Sequence, residues 1–369
     1  MKTVDVQVRG AGAVGRSVAL ALARAGLRVA LTPAHKPAAT DRADVRAYAL
    51  NAASVALLRE LKVWDSLPAD AKTAVHDMRV LGDGAGRLDF SAWQQCVAEL
   101  AVIVDASALD QALDDAVRFA PHIEVQSDPV DATLVAVCEG KHSSTREEFG
   151  VEFERWDCAQ TAIAARLTGA APHLGLARQR FRSPDVLALL PLDRPQPGAS
   201  YALVWSLPTA RAQALLALDD AAFTQALNEA AADLGGELTL ASARAAWPLT
   251  TARAKAWHGP GWVLLGDAAH VVHPLAGQGL NLGLADVACL SRMLAGKPDW
   301  RSTADPRLLA AYARERFLPT LAMATVTDSL LTLFATQASP VAELRNQGLG
   351  LLNHWGSAKR WLASQALGT

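Results

Sequence analysis

The chain has 369 residues, a formal net charge of −2 and a hydrophobic fraction of 51%, which suits one large α/β domain with a second module grafted on it. This charge gives no support for nucleic-acid binding through a basic surface, and no uninterrupted apolar stretch of about 18 residues predicts a membrane-spanning helix. The four cysteines are widely separated, so neither a zinc site nor a disulfide framework is indicated. No cationic leader precedes the first predicted strand, and we expect a cytoplasmic protein.

The N-terminal segment predicts a strand, a glycine-rich turn, a helix and a second strand. Residues 4–8 are mostly apolar, residues 14–25 have helical spacing, and residues 27–31 are again strand-like. The turn fits G-x-G-x-x-G, in which a dinucleotide pyrophosphate sits on the helix N-terminus. Alone, this motif is as compatible with an ordinary βα turn as with a dinucleotide-binding site. Its candidate cofactor contacts are Gly10, Gly12, Ala13, Val14 and Gly15.

The end of the second strand departs from the dinucleotide-binding pattern. That pattern places an Asp or Glu there to hold the ribose hydroxyls, whereas this strand ends in Thr32 and Pro33, and the first acid is Asp41. We therefore expect Thr32, His35 or backbone groups to hold the adenosine ribose. Arg9, just before the turn, is either a phosphate partner or one half of an ion pair.

The middle of the chain predicts further elements of a parallel sheet. A helix is expected from about Asn51, and residues 78–81 and 87–90 predict a hairpin around a Gly-rich turn. Ser107 and Asp110 resemble a capping box that opens a helix. Strands near residues 123–125 and 134–137 then return the chain to the sheet.

From about residue 151 the sequence changes to strand-like segments, such as 186–190 and 201–205, with one helix at about 220–234. This pattern predicts an antiparallel sheet covered by helix and inserted into the α/β domain. The chain re-enters that domain at Val263. After residue 305 it is helical, and Pro319 is expected to kink or divide a long helix.

Residues 262–281 are the most informative segment. A buried strand, 262–265, runs into a Gly-Asp turn with several glycines, and a helix follows with apolar residues at helical spacing. The start of such a helix stabilises negative charge on a ligand. Asp267, His270 and His273 have a spacing that could suggest a metal site, but Pro274 and the later glycines favour a loop, and we expect no metal.

This segment, together with the turn at 10–15 in the proper order, resembles the Gly-Asp motif of FAD-dependent aromatic hydroxylases (group A flavoprotein monooxygenases), most closely their ubiquinone-biosynthesis hydroxylase branch. Residues 186–192, 204–206 and 360–363 also resemble that branch. The resemblance implies an α/β fold of the para-hydroxybenzoate-hydroxylase type, a Rossmann-like FAD-binding domain with an inserted β-sheet substrate domain. The implied division is an FAD-binding domain (1–75, 101–150 and 256–300), a substrate-side hairpin (76–100), a substrate domain (151–255) and C-terminal helices (301–369).

The resemblance also implies the chemistry and its residues. FAD is bound non-covalently, NAD(P)H is a transient reductant, and O2 supplies the oxygen that hydroxylates an aromatic ring, here a polyprenylated phenol of ubiquinone biosynthesis. Asp267 is expected at a ribityl hydroxyl, Pro274 near the flavin ring, the backbone of 277–281 under the pyrimidine edge and Arg46 on the flavin side of the cleft. The remaining implied cofactor contacts are Gly266, Gly277, Gln278, Gly279, Leu280 and Asn281.

A middle motif of the family, Asp-Gly followed by Ala-Arg-Ser, is altered here. Glu139 replaces the Asp and His142 replaces the first Arg, whereas Gly140, Ser143 and Arg146 fit, so the docking of NAD(P)H is the least defined feature. Because the flavin carries the chemistry, no catalytic side chain is expected. Phe181, Pro191 and Trp205 are the substrate-cleft candidates, although each can equally be a core residue.

Two other functions compete with the hydroxylase. The altered motif and the missing ribose acid suggest a non-catalytic or flavin-poor subunit of a quinone-biosynthesis assembly, which the intact 266–281 segment opposes. An NAD-linked dehydrogenase has no use for that segment. We expect a small aromatic substrate and O2 as partners, no nucleic acid, and peripheral association with the inner membrane or a quinone-biosynthesis complex. The apolar C-terminal residues near Lys359 and Arg360 either dock there or pack on the FAD domain.

Overall fold

A computed structural model describes residues 4–33, 44–84, 86–232, 234, 236–273 and 277–335, with only the backbone of 326–328 and 330–335. The first sheet has six strands in the order β16-β17-β9-β1-β2-β8, parallel except for the β16–β17 pair. Its strands are β1 (Val4–Arg9), β2 (Val29–Thr32), β8 (Ile123–Val125), β9 (Ala132–Val137), β16 (His258–Gly259) and β17 (Trp262–Leu264). The helices associated with it are α1 (Ala13–Arg24), α3 (Ala106–Phe119), α7 (Gly279–Ala295) and α8 (Pro306–Ala335).

Close approach of the first turn to its neighbours explains two of the glycines. Gly10 has φ +103°, and a Cβ there would lie 2.4 Å from the carbonyl oxygen of Cys138. A Cβ on Gly15 would lie 1.8 Å from the carbonyl oxygen of Gly10. Only glycine permits this approach, which brings the start of α1 against the ends of β1 and β9.

The second sheet has nine strands, in the order β18-β15-β10-β13-β12-β11-β5-β6 with β14 beside β10. All its pairs are antiparallel except β11–β5. Helices α5 (Thr209–Leu216) and α6 (Asp220–Ala231) cover its outer face. The strands are β5 (Asp77–Leu81), β6 (Arg87–Ser91), β10 (Phe153–Gly169), β11 (Leu176–Arg182), β12 (Asp185–Leu192), β13 (Ser200–Pro208), β14 (Leu238–Leu240), β15 (Ala245–Ala254) and β18 (His270–Val271).

A small antiparallel sheet lies between these two. It consists of β3 (Ala47–Leu50), β7 (Ala101–Asp105) and β4 (Lys72–Val75), in that order, with α2 (Ala52–Glu60) following β3 and α4 (Ser144–Glu148) following β9. Some of its residues pack in the hydrophobic core of the first sheet, and others pack against residues of the second sheet. It therefore links the two larger sheets.

Most of the predicted elements are confirmed, including the hairpin β5–β6 and the parallel strands β8 and β9. The capping box is wrong: α3 begins at Ala106, and its cap is Asp105, which accepts from the Ala108 amide (3.0 Å) and the Ser107 hydroxyl (2.6 Å). Pro319 does not divide α8, which is one helix through that residue. Within the described residues, no helix combines the length and the hydrophobicity that crossing a bilayer requires.

Candidate active site

A cavity of about 1140 Å³ extends from the first glycine turn to the inner face of the second sheet. One end of it, here called the nucleotide end, is lined by residues 11–14, 44–49, 267 and 277–280. The other end, the sheet end, is lined by apolar residues of β4, β5, β7 and β10–β13 and by residues 245–250. One continuous space therefore joins the two predicted motifs to the inserted sheet.

Two helices begin at the nucleotide end without side-chain caps. The first is α1, which follows Gly12, and the second is α7, which follows Gln278; neither has an acidic residue in its first turn. The first backbone N–H groups of a helix lack intrahelical partners and carry partial positive charge. Among the described residues, none has an atom within 4 Å of a Cβ placed on Gly12 or Gly279, their own chain neighbours excepted, so cavity space reaches the backbone at both positions. These features fit a bound dinucleotide with anionic groups.

The structure brings most of the sequence-predicted cofactor residues together in this cavity. Those that line it are Gly12, Ala13, Val14, Arg46, Asp267, Gly277, Gln278, Gly279 and Leu280. Gly10, Gly15, Gly266 and Asn281 do not line it. Pro274 lies outside the described residues, as do His35 and Asp41.

Asn281 supports the wall instead of lining it. Its side-chain oxygen accepts from the Asn51 amide (3.1 Å) and the Ser54 hydroxyl (2.8 Å), while its nitrogen donates to the Ala49 carbonyl (2.9 Å). Asn281 therefore ties the first turn of α7 to α2 and β3, and it fixes the start of α7 beside the cavity.

Asp267 and Arg46 are the charged groups at the centre of the nucleotide end. The Asp267 carboxylate is exposed to the cavity, and the protein that surrounds it raises its pKa by desolvation, an effect opposed by His270, Lys141 and Arg46. Hydrogen bonds from Nε and Nη2 of Arg46 to Asp44 (2.9 and 2.5 Å) raise the pKa of the guanidinium. Arg46 therefore faces the cavity as a permanent cation held in place by a carboxylate.

A buried network behind Asp267 holds the Gly-Asp turn. Asp286 accepts from the Gly266 amide (2.9 Å), from His270 Nε2 (2.7 Å) and from Arg316 Nε (2.7 Å). Burial raises the pKa of Asp286, but His270 and Arg316 more than offset this, so the net pKa shift is downward. His270 thus has a structural partner, and within the described ranges no group of three or more His, Cys, Asp or Glu residues could hold a metal ion.

The altered middle motif is also occupied by structural contacts. Glu139 accepts from the Ser143 hydroxyl (2.7 Å), the Thr145 amide (3.0 Å) and the Thr145 hydroxyl (2.8 Å). The fully buried Arg146 donates to the Ala268 (3.1 Å) and Lys141 (3.2 Å) carbonyls. This motif consequently anchors the turn that carries Asp267, and only Gly140 and Lys141 of residues 139–146 line the cavity.

The structure resolves the two alternatives for Arg9 in favour of an ion pair. Its Nη1 lies 3.3 Å from Glu148 and also donates to the Thr145 hydroxyl (3.1 Å). Thr32, a candidate for the ribose, accepts from the Gln7 amide (3.2 Å) and does not line the cavity. Both side chains therefore stabilise the ends of β1 and β2.

A carboxylate that sequence reasoning did not place at the site lines the nucleotide end. Asp110, on α3, lies 3.0 Å from Arg16 Nη1, and its side chain is 39% exposed. The sequence analysis assigned Asp110 to a helix cap because it lies three residues after Ser107. That assignment did not predict its position on the cavity side of α3. A partly exposed acid is thus available near the α1 turn although a proline follows β2.

The substrate-cleft expectations for Trp205 and Pro191 need correction. Trp205 is 1% exposed and packs on Phe223 on the outer, helix-covered face of the second sheet, and Pro191 does not line the cavity. Phe181 packs with Val80, Leu88 and Val186 beside the cavity rather than in its wall. Both faces of this sheet are buried, so hydrophobicity does not distinguish them. The residues that do line the sheet end include Ala164, Ala177, Gln179, Val186, Ala188, Leu190, Ala202, Val204 and Ser206.

Comparison with known proteins agrees with this site. A family model described as FAD binding domain matches residues 3–128 and 121–327. The chain is 31% identical to ubiquinone hydroxylase UbiL of Rhodospirillum rubrum, over 100% of this chain and 90% of that protein. It is 28% identical to 3-demethoxyubiquinol 3-hydroxylase of Escherichia coli, over 99% of this chain and 98% of that protein.

The predicted fold class is confirmed by solved structures. The crystal structure of p-nitrophenol 4-monooxygenase PnpA from Pseudomonas putida superposes with a TM-score of 0.78 at 17% identity, covering 100% of this chain and 99% of that one. The sequence matches span both glycine motifs and nearly the whole chain. The chain therefore belongs to the FAD binding domain family, and it is an FAD-dependent monooxygenase of the aromatic-hydroxylase type.

Proposed function

We propose that this monooxygenase hydroxylates the ring of a polyprenylated phenol in ubiquinone biosynthesis. The observation that carries the proposal is one continuous cavity, which has two uncapped helix N-termini at one end and an apolar sheet face at the other. The names of the relatives in Rhodospirillum rubrum and Escherichia coli support the same substrate class. When bound, FAD supplies the redox chemistry, taking electrons from NAD(P)H and using O2 to transfer one oxygen atom to the ring.

The residues of the nucleotide end are proposed to hold the cofactor. The free N–H groups at the start of α1 bind the pyrophosphate, and those at the start of α7 stabilise negative charge at the pyrimidine edge. Asp267 accepts from a ribityl hydroxyl, Arg46 flanks the flavin, and Asp110 accepts from a cofactor hydroxyl in place of the acid absent at Pro33. The apolar sheet end excludes water from the reacting ring.

Flavin content tests the enzyme proposal against the alternative of a flavin-poor assembly subunit. We expect the purified protein to be yellow and to release intact FAD on denaturation. A protein that stays colourless after reconstitution with excess FAD would favour the subunit. Flavin that is reduced by NAD(P)H without any hydroxylated product, for every prenylated phenol supplied, would contradict the proposed reaction.

Asp267→Ala tests the proposed ribityl contact. Loss of a hydrogen bond to a charged group costs about 1.5–3 kcal/mol, so we expect FAD affinity to fall by at least tenfold while the far-UV circular dichroism is unchanged. Asp299→Ala, at an exposed position outside the cavity, is the control and should bind FAD as the wild type does. Equal affinities in the two variants would refute the contact.

The proposed substrate dissolves in the bilayer, and we propose that the protein reaches it from the membrane surface or through a partner hydroxylase. The apolar C-terminal residues expected to dock lie outside the described residues, so the proposal rests on the substrate's hydrophobicity. Removal of residues 356–369 should reduce co-sedimentation with liposomes of anionic lipid, or capture of the partner, while flavin content is kept. Loss of flavin in the truncated protein would instead assign the segment to the core.

A further inference from the structure

The inner face of the second sheet carries an amide in a row of small apolar side chains. Strand register places Gln179 of β11 beside Ala188 of β12, followed by Val204, Ala164 and Ala245 on the next strands. All five residues line the sheet end of the cavity. Gln179 is only 6% exposed and lines the cavity, so it is largely shielded from bulk solvent.

The neighbouring rows make Gln179 the best placed polar group on this face. The row on one side contains Leu190 and Ala202, and the row on the other side contains Val186 and Ser206. The Ser206 hydroxyl has a short reach, whereas Arg178, next to Gln179 in sequence, donates to the Tyr201 hydroxyl (3.3 Å). Gln179 therefore supplies an amide at the β11 end of a row whose other lining residues are apolar.

A carboxamide in such a wall can orient a ligand through one oxygen atom. It offers two acceptor lone pairs and two N–H donors, so it can keep a contact with protein and still bond a ligand. Hydrogen bonds are stronger in a region of low dielectric constant. A flat apolar ring with one hydroxyl would gain little orientation from alanines and valines alone, because contacts with them are not directional.

We propose that Gln179 accepts a hydrogen bond from the phenolic hydroxyl of the substrate and so selects which ring carbon is presented for hydroxylation. This inference rests on the proposed function, because it assumes a phenol in the sheet end. It assigns the alanines of the same row, Ala164 and Ala188, to contact with the ring and its apolar substituent. Gln179 is thereby a substrate-orienting residue that takes no part in electron transfer.

The test compares a phenol with its methyl ether in the flavin-loaded protein. We would titrate 2-geranylphenol and 2-geranylanisole and follow the flavin absorbance spectrum, because the ether keeps the oxygen but lacks the O–H donor. One hydrogen bond is worth about three- to tenfold in affinity. Gln179→Met keeps side-chain length and removes the acceptor, so the wild-type preference for the phenol should fall by about that factor. Gln213→Met, the same change at an exposed position of α5, should keep the preference.

Gln179→Asn provides a second variant that retains an amide and withdraws it by one methylene, and it should lose the preference as well. If either folded, flavin-containing variant keeps the wild-type preference, the inference is wrong. If the wild type and Gln213→Met bind neither compound, the proposed function itself fails, and the inference fails with it. With turnover, Gln179→Met should also divert NAD(P)H electrons from product to hydrogen peroxide, since a misoriented ring is hydroxylated less often.

Discussion

The two ends of the cavity are built in different ways. At the nucleotide end, backbone groups face the cavity, and glycines or buried ion pairs hold that backbone in place. At the sheet end, side chains form the wall, and the backbone is paired in strands. A site made of backbone tolerates few changes at its supporting residues, whereas a site made of small side chains can alter its shape by single substitutions.

The strongest test of this difference is replacement of Asp286, the buried carboxylate behind the Gly-Asp turn. Asp286→Asn leaves Arg316 buried without its anion, and breaking such a pair costs about 3–5 kcal/mol. We expect the free energy of unfolding, measured by urea titration, to fall by that amount and bound FAD to be lost. Glu315→Gln, which breaks the exposed pair with Arg292, should cost at most about 1 kcal/mol. If the two variants lost similar amounts of unfolding free energy, the buried Asp286 network would not be a special support of the nucleotide end.

His273, at the end of the same turn, makes the stability of this end sensitive to acid. Burial lowers the pKa of His273 to about 4 from 6.5, so the folded state keeps the ring neutral while the unfolded state protonates it. The neutral ring thus contributes stability above pH 6.5 that is progressively lost as the pH falls towards 4. One pKa unit corresponds to about 1.4 kcal/mol, which predicts a loss of about 2–3 kcal/mol between pH 7 and pH 4.5.

Urea titrations of the wild type and His273→Leu at those two pH values check this prediction. The variant should lose less stability on acidification, by roughly the same 2–3 kcal/mol. His122→Asn, at an exposed position, should lose as much as the wild type. If His273→Leu and the wild type respond identically to acid, burial of His273 is not a source of acid sensitivity.

The glycines of the first turn separate support from ligand contact. A Cβ on Gly15 would lie 1.8 Å from a backbone oxygen, whereas one on Gly12 would enter open cavity. Gly15→Ala should therefore destabilise the protein without FAD by about 1–3 kcal/mol. Gly12→Ala should change the stability of the FAD-free protein by less than about 1 kcal/mol. It should weaken FAD binding by about tenfold. Equal FAD affinity in Gly12→Ala and the wild type would mean that the cofactor does not approach the backbone there.

The difference between a nucleotide end made of backbone and a sheet end made of side chains also explains what the sequence could predict. The glycine turns and Asp267 were readable because a close backbone approach requires particular residues at particular spacings. The orientation of Trp205 was not, since both faces of the second sheet are buried and apolar residues of β13 point to either face. Asp286 was missed because its partners lie 16 to 30 positions away in sequence. An acid in a largely apolar helix was a signal that could have found it.

The smallest expected effect concerns the proline at the end of β2. Residue 33 follows Thr32, whose carbonyl accepts from the Gly10 amide (2.8 Å), so a side chain there lies near the turn where the pyrophosphate is proposed to bind. Pro33→Glu should leave FAD affinity unchanged or raise it by at most about 1 kcal/mol, because the added carboxylate supplies one more acceptor for a ribose hydroxyl. The gain should be larger in Asp110→Asn, where the proposed substitute acid is neutral. Fluorescence titration of the apoprotein with FAD measures both. A large loss of FAD affinity in folded Pro33→Glu would show that the proline itself shapes the adenosine site. If Pro33→Glu raised FAD affinity equally in the wild type and in Asp110→Asn, Asp110 would not be part of that site.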